Sequence, residues 1–457
     1  MRSTVLAVAV GAAMLVGAGV ASAASFIVVG TPGSDLEKAV TAAGGVITNR
    51  LSAIDTVVAD SGDASFRTKL AKQAGVQAVV PNVRVRMIDP VAQQALSSDD
   101  VNAEVVNPPN NDGTYDTRYP LLWGLDAVDA PEAWASGATG AGVRVAVLDG
   151  GFNMNHPDLV PNINYALSTD MTGEGIAYGP NSDDPTGVFS HGTHVAGTIA
   201  AKRNGAGVIG VAPDAQLVLV KVLFNYGSGS FDDVLEGIIY AADVDADVIN
   251  MSLGADIPQG LGIGSNEVAA LRAAMNRAIS YAYQSGATVV VAAGNDGRNL
   301  DKDRSVTVFP AQLNHAIAIS ATAPIGWAID PANTSLDNLA SYSNFGRSVI
   351  GFAAPGGDAL YPGNENCLIG GLVRPCYVFD LVFSTGGNVG GANYYFWSAG
   401  TSMATPHASG IAALIIGENG GSMHPAQVRA EMAARADDLG KPGNDPAYGG
   451  GRLSSGY

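Results

Sequence analysis

Gly400-Thr401-Ser402-Met403-Ala404-Thr405-Pro406-His407, running into the apolar stretch 411–416, is where the reading of this chain turns. Small residues surround a serine just ahead of a segment with the character of a buried helix. The first turn of a helix holds N–H groups without intrahelical acceptors and the positive end of the macrodipole. A hydroxyl placed there is either a helix cap or a nucleophile whose substrate passes through an oxyanion. A base, an orienting acid and an oxyanion donor elsewhere in the chain would decide for the nucleophile.

Three segments answer. Val145-Ala146-Val147-Leu148-Asp149-Gly150-Gly151 reads as a strand delivering a carboxylate at its carboxyl end, with Asn155-His156-Pro157-Asp158-Leu159 beyond it. Ser190-His191-Gly192-Thr193-His194-Val195-Ala196-Gly197-Thr198 reads as a helix start headed by a histidine. His191 and His194 are spaced i, i+3, which raises zinc, but H-E-x-x-H is absent and no nearby Cys or carboxylate completes a site. Val289-Val290-Val291-Ala292-Ala293-Gly294-Asn295-Asp296-Gly297 brings an amide side chain to a strand end, as a turn residue or an oxyanion donor.

Residues 143–148, 216–222, 247–251, 287–292 and 315–320 are short β-branched runs, separated by apolar helical stretches such as 231–242 and 267–283. Unbroken apolar strands alternating with helices predict an α/β fold, a parallel sheet covered by helices on both faces. Function in such sheets gathers at the carboxyl ends of the strands. Asp149, His191, Asn295 and Ser402 all fall at strand ends or helix starts of that one sheet.

In this order the segments 149–159, 190–198, 292–295 and 400–407 resemble the four signatures of the subtilisin-like serine proteases. The resemblance runs from about Trp123 to Tyr457. It takes in Lys221-Val222-Leu223 with Gly227-Ser228-Gly229, Asn250-Met251-Ser252-Leu253-Gly254, Ala353-Ala354-Pro355-Gly356 and Tyr448-Gly449-Gly450-Gly451-Arg452. It implies a serine endopeptidase acting on polypeptides. Ser402 would be the nucleophile, His191 the proton carrier and Asp149 its orienting acid. Asn295, with the Ser402 N–H, would bind the oxyanion.

By the same resemblance, Gly227, Ser228, Gly229 and Ser252, Leu253, Gly254 offer extended edges that pair with substrate. Ala292, Ala293 and Gly294 wall the pocket for the residue before the cut. None of these carries a charge, so an apolar or aromatic preference is expected. Calcium is implied too, through the carboxylate of Asp158, the side chain of Asn204 and the carbonyls of Lys202, Ala206 and Val208; a solvated helix-end loop is the alternative reading. No organic cofactor is expected. Where the family has Thr or Ser after the acid, this chain has Gly150. A hydroxyl that would favour the charged carboxylate is thus missing, and slower or pH-shifted catalysis follows as an expectation.

Ahead of that domain, an apolar stretch from about Val5 to Val20 ends in Ala21-Ser22-Ala23, the pattern of a cleaved secretory signal over 1–23, with an uncleaved anchor as the competing reading. Residues 24–90 alternate as β-α-β-β-α-β, which predicts a small ferredoxin-like α+β module. Residues 91–118 are polar and rich in turn formers, a linker by composition. The peptidase-like domain is 119–457. The family is commonly made with such a module as a propeptide that assists folding and then inhibits through its tail, here 76–89, with release in the linker.

Composition narrows the partners. Among 457 residues, 42 Asp+Glu outnumber 24 Lys+Arg for a net charge of −18, a poor match to nucleic acid. With 47% hydrophobic residues the chain can build a large core, and the mature form is expected to be a soluble monomer. Cys367 and Cys376 are the only two cysteines and can form a single bridge, in keeping with an oxidising, extracellular destination.

Overall fold

The computed structural model describes residues 23–88, 91–95, 116–181, 185–258 and 264–457. The signal expected over 1–23 lies almost wholly outside them, as does most of the linker.

The first unit has strands β1 (Ala24–Gly30), β2 (Val46–Leu51), β3 (Thr56–Ser61) and β4 (Val76–Pro81), with helices Leu36–Ala43 and Phe66–Leu70 between them. The sheet is antiparallel in the order β2-β3-β1-β4, the predicted ferredoxin-like arrangement. Strand alternation explains how it is held on both sides. Val28, Val57, Ala59 and Val79 meet the two helices in a core of the unit's own. Ile27 and Val29, on the opposite face, join the apolar layer of the larger domain together with Leu51 and Ile54. Arg277 of the larger domain seals this seam by donating to the carbonyls of Gly30 and Ile54 at 2.9 and 3.1 Å.

The chain then crosses to the larger domain as β5 (Arg84–Arg86), and after residues 89 and 90 as β6 (Ala92–Ala95). Residues 91–95, read as the start of a linker, are therefore extended and paired.

The larger domain is built on β7 (Arg144–Asp149), β8 (Thr169–Asp170), β9 (Gln216–Lys221), β10 (Ser228–Ser230), β11 (Val248–Met251), β12 (Ala255–Pro258), β13 (Thr288–Ala292), β14 (Val306–Phe309), β15 (Ala316–Ala323), β16 (Asn338–Leu339) and β17 (Ile350–Pro355). Its eight-stranded sheet runs β16-β15-β13-β11-β7-β9-β8, with β17 also paired to β15. All pairs are parallel except β15 with β16. The five predicted strands and both predicted helices (Phe231–Asp243 and Ser265–Gln284) are present within a few residues.

Period-two alternation divides each strand between two apolar layers. Val145, Val147, Leu217 and Leu219 face the helices His191–Ala200 and Thr401–Glu418. Ala146, Leu148, Val218 and Val220 face Phe231–Asp243 and Ser265–Gln284. A sheet covered on both faces leaves only its ends open, so the site must form there. Beyond β17, β18 (Asn366–Ile369) and β19 (Leu372–Pro375) make a hairpin, and Cys367 and Cys376 form the expected disulfide across it. β20 (Val382–Val389) and β21 (Ala392–Ala399) then lead into the Ser402 helix, with β6 added beside β21.

Candidate active site

Asp149 ends β7 and is fully buried. Its carboxylate faces His191 Nδ1, 2.9 Å from Oδ1 and 3.0 Å from Oδ2, and Oδ1 accepts the Gly150 N–H at 2.7 Å. The backbone donor thus stands where the family's hydroxyl is missing. His191 is the first residue of its helix, capped by Ser190, whose hydroxyl accepts from Thr193 N. His191 Nε2 is buried with no hydrogen-bond partner among the described residues. A buried ring nitrogen left open in this way suits a proton acceptor. His194 turns the other way, Nε2 to the Val382 carbonyl at 3.1 Å, and burial lowers its pKa to about 3. The two imidazoles do not converge, and among the described residues no group of three or more His, Cys, Asp or Glu could hold a metal ion.

Ser402 lies in the first turn of Thr401–Glu418, whose N-cap is Gly400 with no side-chain capping bond. The serine is therefore inside the helix and does not cap it. Its hydroxyl donates to the Ser252 carbonyl at 3.1 Å, a contact it must leave to reach His191. Ser402 N–H belongs to the turn for which the helix offers no acceptor.

Asn295 follows Gly294, whose φ of +99° turns the chain out of β13. A Cβ on Gly294 would meet Asn344 Nδ2 at 2.4 Å, so glycine is needed on both counts. Asn295 Oδ1 accepts from Thr401 N at 2.9 Å and Thr401 Oγ1 at 2.8 Å. With its oxygen held by Thr401, the amide is fixed in orientation, Nδ2 being its donor end. Thr401 also accepts from Gly294 N at 3.1 Å, which locks the pair. The sequence reading quoted Thr401 but gave it no role; adjacency to the nucleophile was the available signal.

The edges expected to pair with substrate are paired here with the chain's own residues. β5 pairs antiparallel with β10, Arg86 opposite Ser228 and Val85 opposite Gly229. Met87 and Ile88 donate to the Gly227 carbonyl at 2.9 and 3.1 Å, and Gly254 N donates to Met87 O at 2.9 Å. On the other side of Ser402, Val91 N donates to Ala399 O at 3.1 Å and β6 pairs with β21. A cavity of about 410 Å³ opens beside Ser402 and Asn295, lined by Leu253, Gly254, Ala292 and Gly294. Ala293 is buried behind it, its carbonyl accepting from Asn344 Nδ2 at 3.0 Å. Ser252 is buried too and contributes its carbonyl. Asp256 and Asp296 also line this cavity, and the sequence reading did not place them there.

The residues expected to hold calcium come together. Asp158 Oδ2 accepts from Val208 N at 2.9 Å and Tyr395 Oη at 3.0 Å, and Asn204 Oδ1 accepts from Ala206 N at 3.0 Å. The Lys202, Ala206 and Val208 carbonyls accept no backbone hydrogen bond among the described residues. Asp116, a residue the sequence reading left in the linker, reaches the same loop and accepts from Gly205 N at 2.6 Å. Burial raises Asp158 to about 7, with the Asp116 charge adding to it, and burial raises Asp116 to about 6. Two buried carboxylates thus lie against the loop 202–208, whose carbonyls are oxygen donors of the type calcium takes.

Comparison with known proteins agrees with this geometry. The subtilase family profile matches residues 140–451. M-protease of Shouchella clausii is 34% identical over 373 residues, covering 80% of this chain and 78% of that protein. Subtilisin E of Bacillus subtilis is 35% identical over 339 residues, covering 73% and 69%. Fervidolysin from Fervidobacterium pennivorans, a keratinolytic enzyme related to subtilisin, superposes with a TM-score of 0.67 at 25% identity, covering 96% of this chain and 61% of that one. The epidermin leader peptide processing serine protease of Staphylococcus aureus shares the fold at 22% identity, with a TM-score of 0.72 over 95% and 97% of the two chains. The Asp149–His191 pair, the Ser402 helix start and the held Asn295 are consistent with a serine endopeptidase, and the chain belongs to the subtilase family.

Proposed function

We propose that the chain is the secreted precursor of a serine endopeptidase, held inactive by residues 24–90 until they are removed. The pairing of β5 with β10, continued by Gly254 on Met87, carries this reading, because extended segments added to these edges occupy the place of substrate. The tail 76–89 called from sequence runs through this pairing up to Ile88, and residue 89 lies outside the described residues.

Once the edges are free, Ser402 turns from Ser252 O to His191 Nε2. His191 takes the Ser402 proton as Oγ bonds to the peptide carbonyl carbon. Asp149 holds the Nδ1–H tautomer and stabilises the imidazolium. The oxyanion is received by Ser402 N–H and Asn295 Nδ2, a donor pair set before charge develops. Collapse of the intermediate breaks the C–N bond, and His191 returns the proton to the leaving amine. A water, deprotonated in turn by His191, releases the acyl group and restores Ser402.

Calcium, through Asp158, Asn204, the carbonyls of Lys202, Ala206 and Val208, and additionally Asp116, would lock the helix-end loop and take no part in the chemistry. A chelator that lowers the melting temperature supports this site, and an unchanged melting curve removes it.

The test of the precursor reading is expression of Ser402→Ala beside the unaltered chain. Full-length product accumulating only in the variant is the expected result. Equal processing of both would show that another protease performs maturation. N-terminal sequencing of exported precursor checks cleavage after Ala23.

A further inference from the structure

We propose that the pocket for the residue before the cut selects lysine or arginine, with Asp256 and Asp296 as its specificity-determining residues. The pocket is the cavity of about 410 Å³ beside Ser402 and Asn295. Its size accommodates a long side chain. Its near walls are apolar, as the sequence reading expected, but two carboxylates stand among them. In β12 Asp256 alternates with the buried Ala255 and Ile257, and it lines the cavity beside Gly254. Asp296 follows the oxyanion residue directly.

The charges there are under-compensated. Arg298 Nε lies 3.0 Å from Asp256 Oδ2 and 3.9 Å from Asp296 Oδ2, while its guanidinium also donates to Asp303 at 2.9 Å. Three carboxylates share one guanidinium. Among the described residues the buried Asp256 Oδ2 has that shared Arg298 Nε as its cationic partner. A carboxylate pair that must share one guanidinium is under-neutralised, and a ligand ammonium or guanidinium supplies a further donor and the missing charge. Burial, with Asp296 adding to it, raises Asp256 to about 6, the direction expected of like charges without enough counter-charge. An apolar side chain in the pocket would strip water from this pair and leave it worse served. The chain's own Arg86, from the tail lying over the site, already lines the cavity.

The inference rests on the peptidase chemistry and concerns selectivity alone. The test uses the mature enzyme with peptides differing only in the residue before the cut: Lys, Arg, Leu or Phe. Fluorophosphonate titration counts competent sites in every sample. The expected result is kcat/KM for Lys and Arg above Leu and Phe by ~10-fold or more, shrinking as salt is raised. Asp256→Asn and Asp296→Asn should each reduce the basic-to-apolar ratio by ~5-fold or more per titrated site, the more exposed Asp296 serving if the first variant folds poorly. Equal or better cleavage after Leu and Phe overturns the assignment, as does a ratio unchanged in both variants. Samples that neither label nor cleave count against the peptidase reading instead.

Discussion

Two carboxylate clusters flank Ser402, and they are balanced differently. Asp149 meets one imidazole and one backbone N–H at 2.7–3.0 Å, at the end of a central parallel strand with no exposure to solvent. Asp256 lies at the start of a two-stranded edge and shares Arg298 with Asp296 and Asp303. The carboxylate of the first cluster is satisfied without a ligand, as it must be if it is to orient His191 for every substrate. The second becomes complete only when something positive arrives, as a recognition site should. The same side-chain chemistry therefore serves reaction or selection according to how fully the fold has already satisfied it.

Substitutions in the first cluster should act alike on all substrates. Asp149→Asn should lower kcat on the order of 10⁴-fold, the scale seen for this acid in subtilisin, equally for basic and apolar residues before the cut. A loss that depended on the substrate side chain would erase the division between the clusters. Asn295→Ala should cost roughly 10²–10³-fold in kcat with little change in KM, again the scale measured in subtilisin. Thr401→Val, which removes the hydroxyl donor to Asn295 Oδ1 and keeps the backbone one, should cost less but in the same parameter; a KM effect would place Thr401 in substrate binding instead.

The buried histidines give a pH-dependent test of how tightly the Ser402 helix is packed. Burial lowers His407 from 6.5 to about 4, while its Nδ1 stays on the Met403 carbonyl at 2.9 Å. A histidine kept neutral in the fold contributes stability present above its unfolded pKa and lost as pH falls toward the folded value. His407→Asn should therefore flatten the fall in stability from pH 6.5 toward 4, by up to about 1.4 kcal/mol per pH unit. Urea unfolding of both proteins at two pH values isolates this difference from the raised carboxylates, whose effect runs the opposite way.

The smallest effect is expected at Gly150. A Cβ there would meet Phe224 O at 3.6 Å and Ile88 Cδ1 at 4.0 Å, ordinary contacts, and the Gly150 N–H already serves Asp149. Gly150→Ser should change kcat by about threefold or less. A large gain would mean that the backbone donor is a poor substitute for the family's hydroxyl.

The chemistry was legible in the chain because its parts sit in short, local settings. A strand end carries Asp149, a helix start carries His191 and Ser402, and a Gly-Asn turn carries Asn295; each is readable from its few neighbours. The parallel sheet was readable for the same reason, since apolar runs with period-two faces leave few alternatives. Asp256 and Asp296 were not readable, because their meaning depends on which strands border the cavity and on the single Arg298 between them. Asp116 was missed likewise. It reads as a linker residue until the chain folds back and places it against 204–205. Residues 91–95 had linker composition, yet β21 offers them an open edge.

By itself, then, the sequence determined the sheet, the order of the reacting groups and the disulfide pairing, all set by local pattern or by having no alternative partner. Tertiary structure alone decided that Thr401 holds Asn295 and that the chain's own residues 84–88 lie along the edges at 227–230 and 254. It also decided that the pocket is acidic. Contacts between residues far apart in sequence set each of these, and the balance of charge in a pocket is a property of the assembled walls rather than of any one segment.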